Sequence, residues 1–161
     1  MFESEILIKS AFTLAINLVV AIIALYIATV KFRAEKWWDK EFQCYMEAIE
    51  LLNGLMKTLD EVIQFNNSES SHIKADLKRL FEDFSNYKMR LGGIATVGKF
   101  LLHEESHGLV VAFDTQLYSF DIGKTDSQSI AVIRDDAEGC LNQFVQLAER
   151  DLKKNSFLRR W

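Results

Sequence analysis

Proline is absent from all 161 residues, so no ring interrupts a helix interior and no backbone amide is lost as a donor. With abundant Leu, Ala, Glu and Lys, this favours helices along the whole chain. Cysteine occurs only twice, at Cys44 and Cys140, without metal-ligand spacing. That scarcity argues against a disulfide framework and predicts two buried, reduced thiols. Neither sign of charge dominates: the net charge of −4 supplies no bulk basic surface for nucleic acid. Common catalytic signatures are missing as well. There is no Gly-x-Ser-x-Gly and no Cys-x-x-Cys, and Gly92-Gly93 and Gly98 lack the Lys-Ser/Thr ending of a phosphate-cradling loop. No internal repeat or low-complexity segment stands out.

Charge is missing altogether from residues 11–30, AFTLAINLVVAIIALYIATV. A helix of about 20 such residues rises about 30 Å, the thickness of a bilayer's hydrocarbon core. A soluble core helix of that length carries a polar face, and toward one this run offers Thr13, Asn17 and Thr29. The run reads as a transmembrane helix. A cleaved signal peptide is the rival, but the start carries Glu3 and Glu5 against Lys9, and no Ala-x-Ala precedes Lys31. The basic flank Lys31, Arg33, Lys36 and Lys40 puts the C-terminal side in the cytoplasm and residues 1–10 outside. Trp37-Trp38 fits the headgroup level, where an indole keeps its ring apolar and its N–H near water, or the core of the next domain, with Trp38 the better core candidate.

Residues 31–161 are enough for one domain of ordinary size. Only Lys9, Glu3 and Glu5 precede it, which leaves 18 basic and 21 acidic residues, net −3. The clearest period in the chain starts there. Trp38, Phe42, Tyr45, Ile49, Leu52, Met56, Leu59 and Ile63 alternate spacings of four and three, one face of a helix. Cys44, Ala48, Leu51, Leu55 and Val62 broaden the stripe, which favours a globular bundle over a thin coil. That helix should stop near Phe65, before the turn formers of residues 66–71. A second helix starts at Ser70 or Ser71, with the stripe Ile73, Leu77, Leu80, Phe84, Tyr87 and Leu91; Gly92-Gly93 weakens it and Gly98 ends it. Residues 104–120 form a third element. Its run Leu109 to Phe113 has strand propensity, but no partner strand exists, so a helix is expected. After a turn at 123–127, with Thr125 and Gln128 as a capping box, a last helix buries Ile130, Ile133, Ala137, Cys140, Leu141, Phe144, Leu147 and Leu152.

Within the apolar run, Asn17, Ala21, Ala24 and Ala28 repeat at spacings of four, three and four, and the count continues through Lys31 and Glu35 to Trp38. Small residues let membrane helices approach closely, and an intramembrane Asn bonds a partner across the contact. This face is the candidate for self-association. His103-Glu104-Glu105-Ser106-His107 matches His-Glu-x-x-His, which on a helix holds zinc between two imidazoles with the Glu as general base. Acidic Glu105 between the ligands opposes that reading, and no obvious third ligand motif follows, with Asp114, Asp135, Asp136 and Glu138 the candidates. A solvated first turn, where acids favour the positive end of the helix dipole, is the simpler one. The adjacent pairs Asp60-Glu61, Glu82-Asp83 and Asp135-Asp136 diverge on a helix and read as solvated faces. Lys153, Lys154, Arg159, Arg160 and Trp161 crowd cations and an aromatic ring at the C-terminus. They are candidates for lipid headgroups ahead of a nucleic-acid backbone, against a plain cationic last turn.

The single span followed by KWWDKEFQCYMEAI, residues 36–49, resembles a loose group of small bacterial single-span proteins. Gly98-Lys99-Phe100-Leu101-Leu102 before an acidic helix start is similar to that group's second recurring segment, where the position of His103 is often a capping serine. The resemblance implies an inner-membrane protein, and for some members a membrane effector of antiphage defence, including retron systems.

The fold expected is all-α: an N-terminal transmembrane helix, residues 11–30, continuing into a cytoplasmic antiparallel helical bundle, residues 31–161. The function expected is non-enzymatic, by oligomerisation or partner binding, with membrane lipids and a second copy or a protein as partners and no cofactor or metal. A passive anchor that recruits a cytoplasmic partner is the alternative, and a membrane zinc protease the remote one.

Overall fold

The computed structural model describes residues 2–66 and 74–158, with side chains placed at 14, 16–66 and 76–154. It is all-helical: α1 (Phe2–Asn66), α2 (Lys74–Val97), a 3-10 turn (Gly98–Phe100), α3 (Glu104–Tyr118) and α4 (Ser127–Leu158). No strand occurs among the described residues, so the apolar run 109–113 is helical. The chain divides into two compact units, Met1–Lys40 and Glu41–Trp161. The second starts ten residues beyond the charge step at Lys31.

In the second unit, hydrogen bonds and ion pairs join each helix to its neighbours, and low numbers on one helix meet high numbers on the next. Glu47 of α1 pairs with Arg90 of α2 at 2.9 Å, and Asp60 with Arg134 of α4 at 2.9 Å. Asn66 reaches Ser127 at 3.3 Å. His107 of α3 bonds the carbonyl of Ala95 at 2.8 Å, while Lys88 of α2 donates to the carbonyls of Tyr118 and Phe120 at 3.2 and 3.1 Å. A cation there satisfies carbonyls left open at the C-terminal end of α3. Glu82 and Asp83 are exposed as expected, but the other two adjacent acidic pairs are more than solvated faces. Asp60 and Asp135 share Arg134, and Asp136 accepts from Gln116.

The core face of α1 is turned from the expected stripe. Cys44, Tyr45, Ala48, Leu51, Leu52, Leu55, Leu59 and Val62 are buried, whereas Phe42 is exposed and Ile49, Met56 and Ile63 are only half-buried. Residues read as mere broadening form its centre. The reason is that α1 is packed on two sides, by α2 and by α4, so the buried arc is wide and its middle lies between the two contacts. Both cysteines are free and buried, and burial pushes the Cys140 thiol up to about 11. On α2, Leu80, Phe84 and Leu91 are buried, Leu77 and Tyr87 half-buried, and the helix passes through Gly92-Gly93 to Val97. Its expected start and Ile73 lie outside the described residues. Leu101 and Leu102 both donate to the Gly98 carbonyl, which closes the turn into α3.

Two details of α4 depart from expectation. Its cap is Asp126, not Thr125: the Asp126 carboxylate accepts from the Ser129 amide at 2.9 Å and from the Ser129 hydroxyl at 3.1 Å. Thr125 instead donates to the carbonyl of Asp121 at 2.6 Å. Farther along, Leu147 and Leu152 are half-buried, and Ala148 and Asp151 take the core positions.

Gly54 sets the spacing of α1 and α2, because a Cβ there would lie 2.5 Å from Cε1 of Tyr87. A rigid ring leaves no room for a branched side chain. Gly54→Val is expected to lose about 1–3 kcal/mol by overpacking, beyond any gain in helix propensity. Denaturant unfolding of the full chain in detergent checks this, and Tyr87→Ala in the same chain should recover part of the loss.

Candidate functional site

Two features of the structure carry chemistry that bears on function, one in each unit. In the first, α1 offers an 18-residue window of mean hydropathy 1.8, none of it buried, so that by length and composition it is long and apolar enough to cross a membrane. Leu18 is 63% exposed and Leu25 70%. The Thr29 hydroxyl donates to the carbonyl of Leu25 at 2.8 Å, so this polar group needs no water. Asn17, Ala21, Ala24 and Ala28 are exposed on one side of α1, free for contact with lipid or another helix. Lys31, Arg33, Lys36 and Trp37 are exposed after them, with the Lys36 ammonium 5.7 Å from the centroid of the Phe32 ring. Trp38 is half-buried.

The second feature is a buried polar cluster. Asp151 is 2% exposed and Ser106 fully buried. One Asp151 carboxylate oxygen accepts from the Tyr45 hydroxyl at 2.9 Å and from the Ser106 hydroxyl at 2.8 Å. Its other oxygen takes Arg150 Nε at 3.1 Å and Nη2 at 3.0 Å, and Arg150 also reaches Glu105 at 2.7 Å. The Tyr45 hydroxyl in turn accepts the backbone amide of His103 at 3.2 Å. Tyr45 stacks at a tilt on Phe144, centroids 5.5 Å apart. Thus α1, α3 and α4 meet on one carboxylate. Each residue sits where an apolar stripe would continue: Tyr45 one turn before Ala48, Ser106 before Val110 and Asp151 after Ala148. A buried charge is tolerable only when paired and hydrogen-bonded, and here both oxygens are.

Burial alone would raise the Asp151 carboxyl, but hydrogen bonds from Ser106, Tyr45 and Arg150 outweigh it and hold the group below the ordinary range. The Tyr45 phenol is pushed up to about 12, first by burial and then by Asp151. Beside the cluster, His103, Glu104, Glu105, Arg150, Asp151 and Lys154 line a cleft of about 440 Å³.

The residues of the His-Glu-x-x-His string serve different ends. His103 caps α3 with its backbone, Glu105 pairs with Arg150, and the His107 ring is engaged by the Ala95 carbonyl. Buried Ser106 shows that this first turn is solvated on one side only. Among the described residues, no group of three or more His, Cys, Asp or Glu is placed to hold a metal ion. Lys153 and Lys154 are exposed on α4, Lys153 paired with Glu149 at 3.3 Å. Arg159, Arg160 and Trp161 lie outside the described residues. No family model, curated protein or solved structure matches the chain.

The cluster makes stability depend on pH with a definite sign. The Asp151 contribution is present above the unfolded value of about 3.9 and is lost as pH falls through the depressed folded value. The Tyr45 contribution is lost as pH rises from about 10. Tyr45→Phe should cost about 1.5–3 kcal/mol, since it removes a hydrogen bond to a charge and leaves the His103 amide without its acceptor. Asp151→Asn should be less stable at neutral pH and show a shallower acid limb. Unfolding free energies measured across pH check both.

Proposed function

We propose that this chain is a single-span, non-enzymatic protein of the bacterial inner membrane that acts by self-association or by binding a protein partner. The carrying observation is the uncharged helical run of α1, whose described side chains are all exposed in its own unit. Water is a poor solvent for that surface and hydrocarbon a good one. The basic flank from Lys31 to Lys40 favours a cytoplasmic position for the second unit. We read that unit as an antiparallel helical bundle, supported by pairings that run in opposite chain directions: Glu47–Arg90 and Asp60–Arg134 on α1, Glu105–Arg150 between α3 and α4.

In this reading the helix side bearing Asn17, Ala21, Ala24 and Ala28 meets the same side of another copy, with Asn17 bonding across the contact. Assembly then disturbs the bilayer. The resemblance of residues 36–49 and 98–102 to small bacterial membrane proteins supplies the biological setting, an effector of antiphage defence. A passive anchor is the second reading. It is favoured by a cleft of about 430 Å³ between α2 and the α3–α4 loop, where half-buried Phe81 and Phe120 and exposed Tyr118 offer ring surface to a partner.

Crosslinking in membranes, with a potential-sensitive dye in the same cells, tests the proposal. Strong expression should give crosslinked oligomers and depolarisation, and Asn17→Leu with Ala24→Leu should lower both at least several-fold. Oligomers with full polarisation favour the anchor. Unchanged oligomers in the double variant remove the Asn17 face from the mechanism.

A further inference from the structure

We propose that the second unit makes its own contact with an anionic bilayer through the corner formed by Val97, Lys99 and Phe100, joined by Lys154. The inference rests on reading residues 11–30 as the span. Phe100 is 70% exposed and Val97 55%, with exposed Lys99 between them on the passage from α2 into the 3-10 turn. A phenyl ring with no polar atom gains nothing from water at such a site, whereas an apolar ring flanked by an ammonium suits the headgroup boundary.

The position of this corner in its unit selects lipid as the occupant. Phe100 is three residues before His103, whose amide is bonded to Tyr45 on the first buried turns of α1 in this unit. His103 and Lys154 also line the same cleft. The corner therefore belongs to the end of the unit at which its chain begins, Glu41 to Tyr45. Only residues 31–40 separate that beginning from the apolar run, a reach of at most about 35 Å for ten residues in any conformation. A tether so short holds the corner at high effective concentration beside the bilayer, so even a weak lipid contact forms. Among the described residues, Lys99 and Lys154 have no ion-pair partner. Glu104 and Glu105 share the corner, but Glu105 is paired with Arg150, so the net attraction to anionic lipid is small. The aromatic ring accordingly carries most of the contact, with a mild dependence on salt.

The test uses the full chain reconstituted in phosphatidylethanolamine–phosphatidylglycerol vesicles, with an environment-sensitive fluorophore on one introduced cysteine at a time; Cys44 and Cys140 are buried. Labels go at Val97→Cys, which keeps Phe100 in place, at Leu18→Cys in the apolar run, and at Val132→Cys, which is exposed near the start of α4. The expected result is a blue shift and quenching by brominated acyl chains at positions 18 and 97, and neither at 132. Phe100→Ser should lower the quenching at 97 several-fold, and Lys99→Glu with Lys154→Glu about two-fold or more, both leaving position 18 unchanged. Quenching at 18 without quenching at 97 overturns this inference and leaves the span standing. No quenching at either position removes both. A blue shift at 97 that brominated lipid does not quench means that protein covers the corner, and that too overturns the inference.

Discussion

Twenty consecutive residues without a charge, all on one helix, set the terms for this molecule. In the unit that contains them nothing is packed over the described part of the run, and Leu18, Leu25 and their neighbours remain exposed. At about 25 cal/mol for each Å² of apolar surface, leaving such a helix in water is among the costliest arrangements a chain of this size could adopt. Hydrocarbon removes that cost, and helical geometry removes the other one, because every backbone donor inside the run already has its acceptor. The proposed topology, the proposed association through Asn17 and the proposed tethering of the second unit all depend on where that run resides.

The second unit shows how a domain without proline, its two cysteines free, is held in one arrangement. Its apolar stripes supply most of the burial, and they end in polar residues at one end. Tyr45, Ser106 and Asp151 come from three helices and satisfy one another, so a shift of any helix along its axis would strand a buried charge or hydroxyl. Arg150 extends the cluster to Glu105 at the surface. The same end holds the amide of His103, through which the turn carrying Phe100 is registered against α1. Polar specificity and the exposed aromatic corner are thus properties of one end of the unit.

Much of this was legible in the sequence. Spacings of three and four placed helices where α1, α2, α3 and α4 occur, and the strand-like run 109–113 yielded to helix because no second strand existed to pair with it. Less legible was which residues of a broad stripe lie at its centre. Phe42 is bulky and apolar yet exposed, while Ala48 and Leu51 are buried, because the arc is fixed by two neighbours that the sequence of α1 does not contain. Asp151 was hidden for a related reason. Its spacing from Phe144 and Ala148 marked it as a core position, but a carboxylate is read as surface unless its partners are known, and those partners are 45 and 106 residues away. Leu152 looked the better core residue on polarity alone. The cap at Asp126 was one residue from the expected Thr125, and it accepts from both the amide and the hydroxyl of Ser129.

The most direct measurement is the behaviour of the full chain when membranes from cells producing it are stripped at alkaline pH and, separately, digested from each face. Retention in the stripped bilayer, with residues 41–161 cut only from the cytoplasmic face, is the predicted result. Release into the alkaline wash, or digestion of that unit from the outer face, would contradict it.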